Sequence, residues 1–104
     1  MQAGLQHAFL GIAPEQMTPQ IAQESRLSVS YGVLVANVTE GSAATKAGMQ
    51  AGDVIFSAAG RRIEIVEDLF AALRRTGAGK QHAFGIVRDG RRTTVTATLD
   101  ARPG

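Results

Sequence analysis

The sequence predicts a mixed α+β domain: a small, partly open β-barrel or sandwich of five to six strands with two main helices. Three observations lead there. Gly32 to Val38 is an apolar, largely β-branched run of the length of one buried strand. Val66 to Arg75 repeats apolar residues at helical spacing and stops at Gly77. Gln81 to Arg88 and Arg92 to Leu99 are strand-like runs joined by Asp89-Gly90, a strong signal for a tight hairpin.

The remaining elements follow in chain order. Residues 1–8 are polar and read as a disordered or appended lead. Phe9 to Ala13 is a short strand, which Pro14 is expected to halt because it lacks an N–H. Thr18-Pro19 has the form of a helix start, with Thr as N-cap and Pro at the first helical position. Ile21, Ala22 and Leu27 would give that helix a modest apolar face. Gly41-Ser42 opens a short helix, Ala43 to Ala47, closed by Gly48. Asp53 to Ala58 is a strand that turns at Gly60-Arg61. In the last strand Thr94, Thr96 and Thr98 alternate with Val95, Ala97 and Leu99, so one of its faces is wet. The domain spans residues 9–100, and Ala101 to Gly104 reads as a frayed tail. The block reads as a domain excised from a longer chain, whose targeting signal would lie elsewhere.

Composition narrows the function. With 104 residues the chain builds one core. No apolar run approaches the ~20 residues of a membrane span. The absence of cysteine excludes disulfides, thiolate zinc sites and thiol nucleophiles. The net charge of +2 owes much to three arginine pairs, Arg61-Arg62, Arg74-Arg75 and Arg91-Arg92. They are dispersed and no aromatic alternates with them, which argues for solvated surface charge rather than a nucleic-acid partner.

No residue cluster suggests catalysis, a metal or a cofactor. The two histidines, His7 and His82, have no neighbours of a ligand or base pattern. No serine stands in a G-x-S-x-G elbow. Gly77-Ala78-Gly79-Lys80 lacks the glycine and the Ser/Thr of a phosphate loop, since Arg74 and Gln81 occupy those places. Glu67 and Asp68 complement the dipole at the start of the long helix. Asp53, just after Gly52, has a turn role.

The most specific stretch is Gly41-Ser42-Ala43-Ala44-Thr45-Lys46-Ala47-Gly48-Met49-Gln50-Ala51-Gly52-Asp53-Val54-Ile55. A helix of small residues ends at a glycine, and Gly52-Asp53 turns the chain into a buried strand. This run resembles the G-S-x-A-x-x-A-G-x-x-x-G-D-x-I segment of PDZ domains. Phe9-Leu10-Gly11-Ile12 is similar to that family's carboxylate-binding loop, and Val66 to Arg75 to the helix beside its peptide groove. Val87-Arg88-Asp89-Gly90 resembles the hairpin of bacterial members. The likeness covers residues 9 to 99. The helix-containing segment between Ile12 and Tyr31 points to the bacterial HtrA (DegP/Do-like) serine proteases. The G-N-S-G-G motif of their protease domain is absent. A circularly permuted fold is implied, in which Thr93 to Leu99 supplies the strand that otherwise precedes the carboxylate loop.

The resemblance implies a non-catalytic module that binds apolar C-terminal or unfolded peptide segments by strand addition. It would regulate or feed a linked trypsin-like protease in a bacterial periplasm or envelope. Its peptide-binding residues would be Phe9, Leu10, Gly11, Ile12, Ala13, Val66, Phe70 and Leu73. Leu69 and Ala72, on a neighbouring stripe of the helix, should face the core. Many members carry a basic residue just before the loop. Residues 1–25 hold no Arg or Lys, which leaves His7 or Arg26 to assist. Two alternatives stand beside this reading. One is an assembly domain that packs on a protease domain; the other is the PDZ domain of a different protease or secretion component.

Overall fold

A computed structural model describes residues 6–18, 20, 31–76 and 79–103. In chain order these form β1 (Gln6–Phe9), β2 (Ile12–Gln16), β3 (Val33–Val38), α1 (Ala43–Ala47), β4 (Val54–Ala58), β5 (Arg61–Arg62), α2 (Val66–Thr76), β6 (Gln81–Arg88), β7 (Arg91–Thr98) and β8 (Asp100–Pro103). The helix expected after Thr18-Pro19 lies outside the described residues.

Six strands make one antiparallel sheet in the order β2-β3-β4-β6-β7, with β5 paired to β4. The sheet is open, because β2 and β7 end the order without pairing. Successive side chains of a strand point to opposite faces, and the core divides accordingly. Val33, Val35, Ile55, Phe84 and Ile86 join Leu69, Ala72 and Leu73 of α2 and Ala44 of α1 in the main core. Val54 and Val87 pack with Met17, Tyr31, Leu34 and Phe56 in a smaller cluster.

Local chemistry sets the boundaries. Ser42 caps α1, its Oγ accepting from the Thr45 N–H, and Gly48 ends it at φ 91°, a left-handed conformation that favours glycine. Asp89 and Gly90 take φ 53° and 76°, the positive angles that a two-residue hairpin of strong twist demands. On β7, Thr94, Thr96 and Thr98 are exposed and Ala97 buried, as the alternation requires.

Three expectations are corrected. Pro14 does not halt its strand. It is carried within β2 at a register shift between Ala13 and Pro14, on an edge where its missing N–H breaks no ladder. Residues 6–8, set aside as a lead, and 101–103, set aside as a tail, pair with each other as β1 and β8. The strand accompanying the approach to the loop is therefore Asp100–Pro103, beyond Thr93 to Leu99, which pairs instead with β6. Neither segment shows apolar periodicity, because this ribbon is recorded in backbone pairing that the sequence pattern does not display.

Candidate functional site: a groove between β2 and α2

The turn between β1 and β2 is held by its carbonyls. Leu10 O accepts from Ala44 N at 2.8 Å, and Gly11 O accepts from Thr39 N at 2.7 Å and Ser42 Oγ at 3.5 Å. A trans peptide sets its N–H opposite its C=O. With both carbonyls turned into α1 and the end of β3, the N–H groups of Gly11 and Ile12 are turned away from them. Gly11 stands at φ 91°, which the turn requires and which a side chain would strain.

Among the described residues β2 runs out from this turn as an edge strand, paired on one side with β3. Gly11 O and Met17 N both bond toward β3. Antiparallel alternation then turns the backbone groups of Ile12, Pro14 and Gln16 to the open side. That edge can take another strand, except that Pro14 offers a carbonyl without an N–H.

The opposite wall is α2, which packs against β1 and β2. Leu69 and Ala72 are buried as expected, and Leu73 joins them in the core cluster that also holds Leu10. Val66 and Ile12 are half-buried against the same cluster. Phe70 leaves 44 % of its surface exposed and Ile65 46 %, the two large apolar side chains left in solvent among the described residues. Ala13 is exposed on β2. Phe9 ends β1 opposite Asp100, His7 pairs with Arg102 in the same ribbon, and Arg26 lies outside the described residues. Leu10 and Leu73 thus meet in one buried cluster with Ile12 and Val66 packed against it, while Ala13 on β2 and Phe70 on α2 are exposed.

Sequence reasoning missed Gln16. Its side-chain amide reaches from the end of β2 to the start of α2, donating to Glu64 O at 2.9 Å and accepting from Val66 N at 3.0 Å. The first N–H groups of a helix have no partner within it. Ile65, just before α2, has no side-chain acceptor. Asp68 Oδ2 takes the Glu64 and Ile65 N–H groups at 3.0 and 3.2 Å, and Gln16 takes that of Val66. α2 therefore runs antiparallel to β2, its N-terminus beside Gln16.

Asp53 has more than a turn role. It is 2 % exposed, accepts from Gln50 N at 2.8 Å, and faces Arg88, whose Nη2 also donates to Gly48 O at 2.7 Å. This knot fastens the segment after α1 to the end of β6. His82, buried in β6 with its ring centroid 5.9 Å from that of Phe84, has its pKa lowered because burial penalises the charged ring. Among the described residues no group of His, Asp and Glu is placed to hold a metal ion, and no helix is long and apolar enough to cross a membrane.

The sequence model of the PDZ domain family matches residues 8–99. The periplasmic pH-dependent serine endoprotease DegQ of Escherichia coli is 33 % identical over 96 residues, 92 % of this chain and 21 % of the relative. A probable periplasmic serine endoprotease, DegP-like, of Pseudomonas savastanoi is 35 % identical over 91 % of this chain and 20 % of its own length. The chain thus spans about one fifth of these relatives. Among solved structures, the HtrA-type protease AlgW with a decapeptide superposes with a TM-score of 0.83 at 25 % identity, over 95 % of this chain and 30 % of that one.

Proposed function

As the chain belongs to the PDZ domain family, in the form carried by HtrA-type serine proteases, we propose that it captures apolar protein C-termini by adding them as a strand to β2. One observation carries this reading. The turn Leu10-Gly11 commits its carbonyls to α1 and β3, which frees the opposite side of those peptide planes for an acceptor. A terminal carboxylate is the acceptor such converging N–H groups suit best, with the N–H of Leu10 beside those of Gly11 and Ile12. The carboxylate sits at the head of β2, so the preceding peptide residues run toward Gln16, antiparallel to the strand. Phe9 and Ala13 flank the turn and the edge. Val66, Phe70 and Leu73 form the apolar wall that selects side chains.

The domain supplies recognition rather than chemistry. The reaction belongs to a linked trypsin-like protease domain in the parent, which this module regulates or feeds in a bacterial periplasm or envelope. The relatives' names, periplasmic serine endoproteases, support that setting.

The test is a library of C-terminal peptides, with each hit repeated as its C-terminal amide. Apolar-ended peptides should bind and lose binding on amidation. Binding indifferent to amidation would move recognition to internal segments or another face. No binding, together with self-association or packing on a protease domain, would replace this reading with an assembly role.

A further inference from the structure

We infer that Gln16 is a latch that closes the far end of the groove and limits recognition to the last four residues of a bound chain. The inference rests on the peptide-groove reading above and adds to it a determinant of ligand length. The carboxylate end of the groove is fixed by Leu10 to Ile12, and the open-edge backbone groups beyond it belong to Ile12, Pro14 and Gln16. An antiparallel partner meets such groups at every second residue. Its terminal residue then pairs at Ile12, the residue two before it at Pro14, and the residue four before it at Gln16. At that rung a side-chain bridge crosses from β2 to α2. The Gln16 amide already joins β2 to α2, bonded to Glu64 O at 2.9 Å and to Val66 N at 3.0 Å. Ile12 to Gln16 covers about 13 Å of strand, room for roughly four peptide residues.

The chain's own chemistry keeps the latch shut. The Val66 N–H begins a helix and has no acceptor within it, and Ile65 provides none. The Gln16 amide meets that donor and uses its own N–H₂ on the adjacent carbonyl, so both of its ends are engaged. Pro14 reinforces the effect, because its rung lacks a donor and gives an incoming strand less reason to extend. Both bonds are exposed to solvent. Water competes with such bonds, so a longer peptide can displace them but gains little net by doing so.

The test titrates free-acid peptides of three, four, six and ten residues with one apolar C-terminus into wild type, Gln16→Ala and Gln16→Glu. Wild-type affinity should rise from three to four residues and then level. Gln16→Ala should gain about fivefold between four and six residues, the worth of one added edge hydrogen bond. Should Gln16→Ala loosen the start of α2, Gln16→Glu keeps the acceptor for Val66 N–H and loses only the donor to Glu64 O. It should show a smaller gain in the same direction. Wild-type affinity that climbs past four residues as steeply as in the variants overturns the latch. So does amide exchange at Val66 that is no faster in Gln16→Ala than in wild type, a reading that needs no peptide. Loss of the groove reading has a different signature: the shortest peptides fail to bind, or bind equally well as amides.

Discussion

Arg88 grips Asp53 with two atoms of its guanidinium, Nε to Oδ1 at 2.8 Å and Nη2 to Oδ2 at 2.6 Å. The carboxylate is 2 % exposed and the arginine 30 %, so water reaches the pair only from the arginine side. Fork geometry of this kind gives both strength and direction. Removing one partner leaves the other without compensation. Arg88→Met should lower unfolding free energy in urea by about 3 kcal/mol, since the Asp53 charge stays buried. Arg88→Lys should recover only part of it, because an ammonium cannot reproduce the two-point contact. A stability unchanged in Arg88→Met would mean that the Gln50 amide and water suffice for Asp53.

Gly11→Val should remove peptide capture and cost about 1–3 kcal/mol of stability, the range for a side chain forced to a positive φ. The measurement is binding of one apolar-ended peptide beside a thermal melt. A variant that melts lower yet binds as tightly would separate the turn from the site.

Phe70 is 44 % exposed on α2. In the proposed groove its bulk would make the terminal pocket shallow, so wild type should prefer Val, Ala or Leu over Phe or Trp at the peptide's last position. Phe70→Ala should admit the larger residues and, being half in solvent already, destabilise by less than about 2 kcal/mol. An unchanged terminal preference in a peptide array would remove Phe70 from the pocket.

Val66 offers no hydrogen bond from its side chain. The position two before the peptide C-terminus should therefore be apolar, and Val66→His should shift it toward Ser or Thr, which an imidazole can bond. A wild-type array that already prefers Ser or Thr there contradicts the assignment.

His82 should make folding sensitive to acid. Its folded pKa lies below the ordinary 6.5 because burial disfavours the charge. The unfolded chain then binds the proton first, so stability is full above that value and declines as pH falls toward the folded pKa. Melting temperature should drop as pH falls below the ordinary 6.5 of histidine, and His82→Gln should flatten that drop relative to wild type. Parallel profiles for the two proteins would assign the acid sensitivity to other groups.

The parts of the molecule legible beforehand are those written in local pattern. Helical spacing separated Leu69 and Ala72, both buried, from Phe70, and Asp89-Gly90 announced the hairpin by its backbone needs. Ser42 and Gly48 bounded α1 for the same reason. What stayed hidden is long-range and polar. Gln16 meets Glu64 and Val66 across 48 and 50 residues, and Arg88 meets Asp53 across 35. Such pairs leave no periodic mark, since a single glutamine or arginine looks the same whether solvated or engaged. The β1–β8 ribbon was invisible for a related reason: pairing of backbone with backbone can be made by almost any residues. Pro14 misled because a proline that ends a central strand is harmless on an edge.

That ribbon also decides how the domain answers to mechanical load. Gln6 lies opposite Pro103 and Phe9 opposite Asp100, so the outer ends of β1 and β8 lie side by side. Tension between them does not shear the main sheet. It parts the ribbon like a zipper, one rung after another, and each rung alone resists weakly. The last rung to part is Phe9–Asp100, directly before Leu10 and Gly11. A pull on the flanks would thus slacken the Leu10-Gly11 turn while β3, β4 and β6 remain whole.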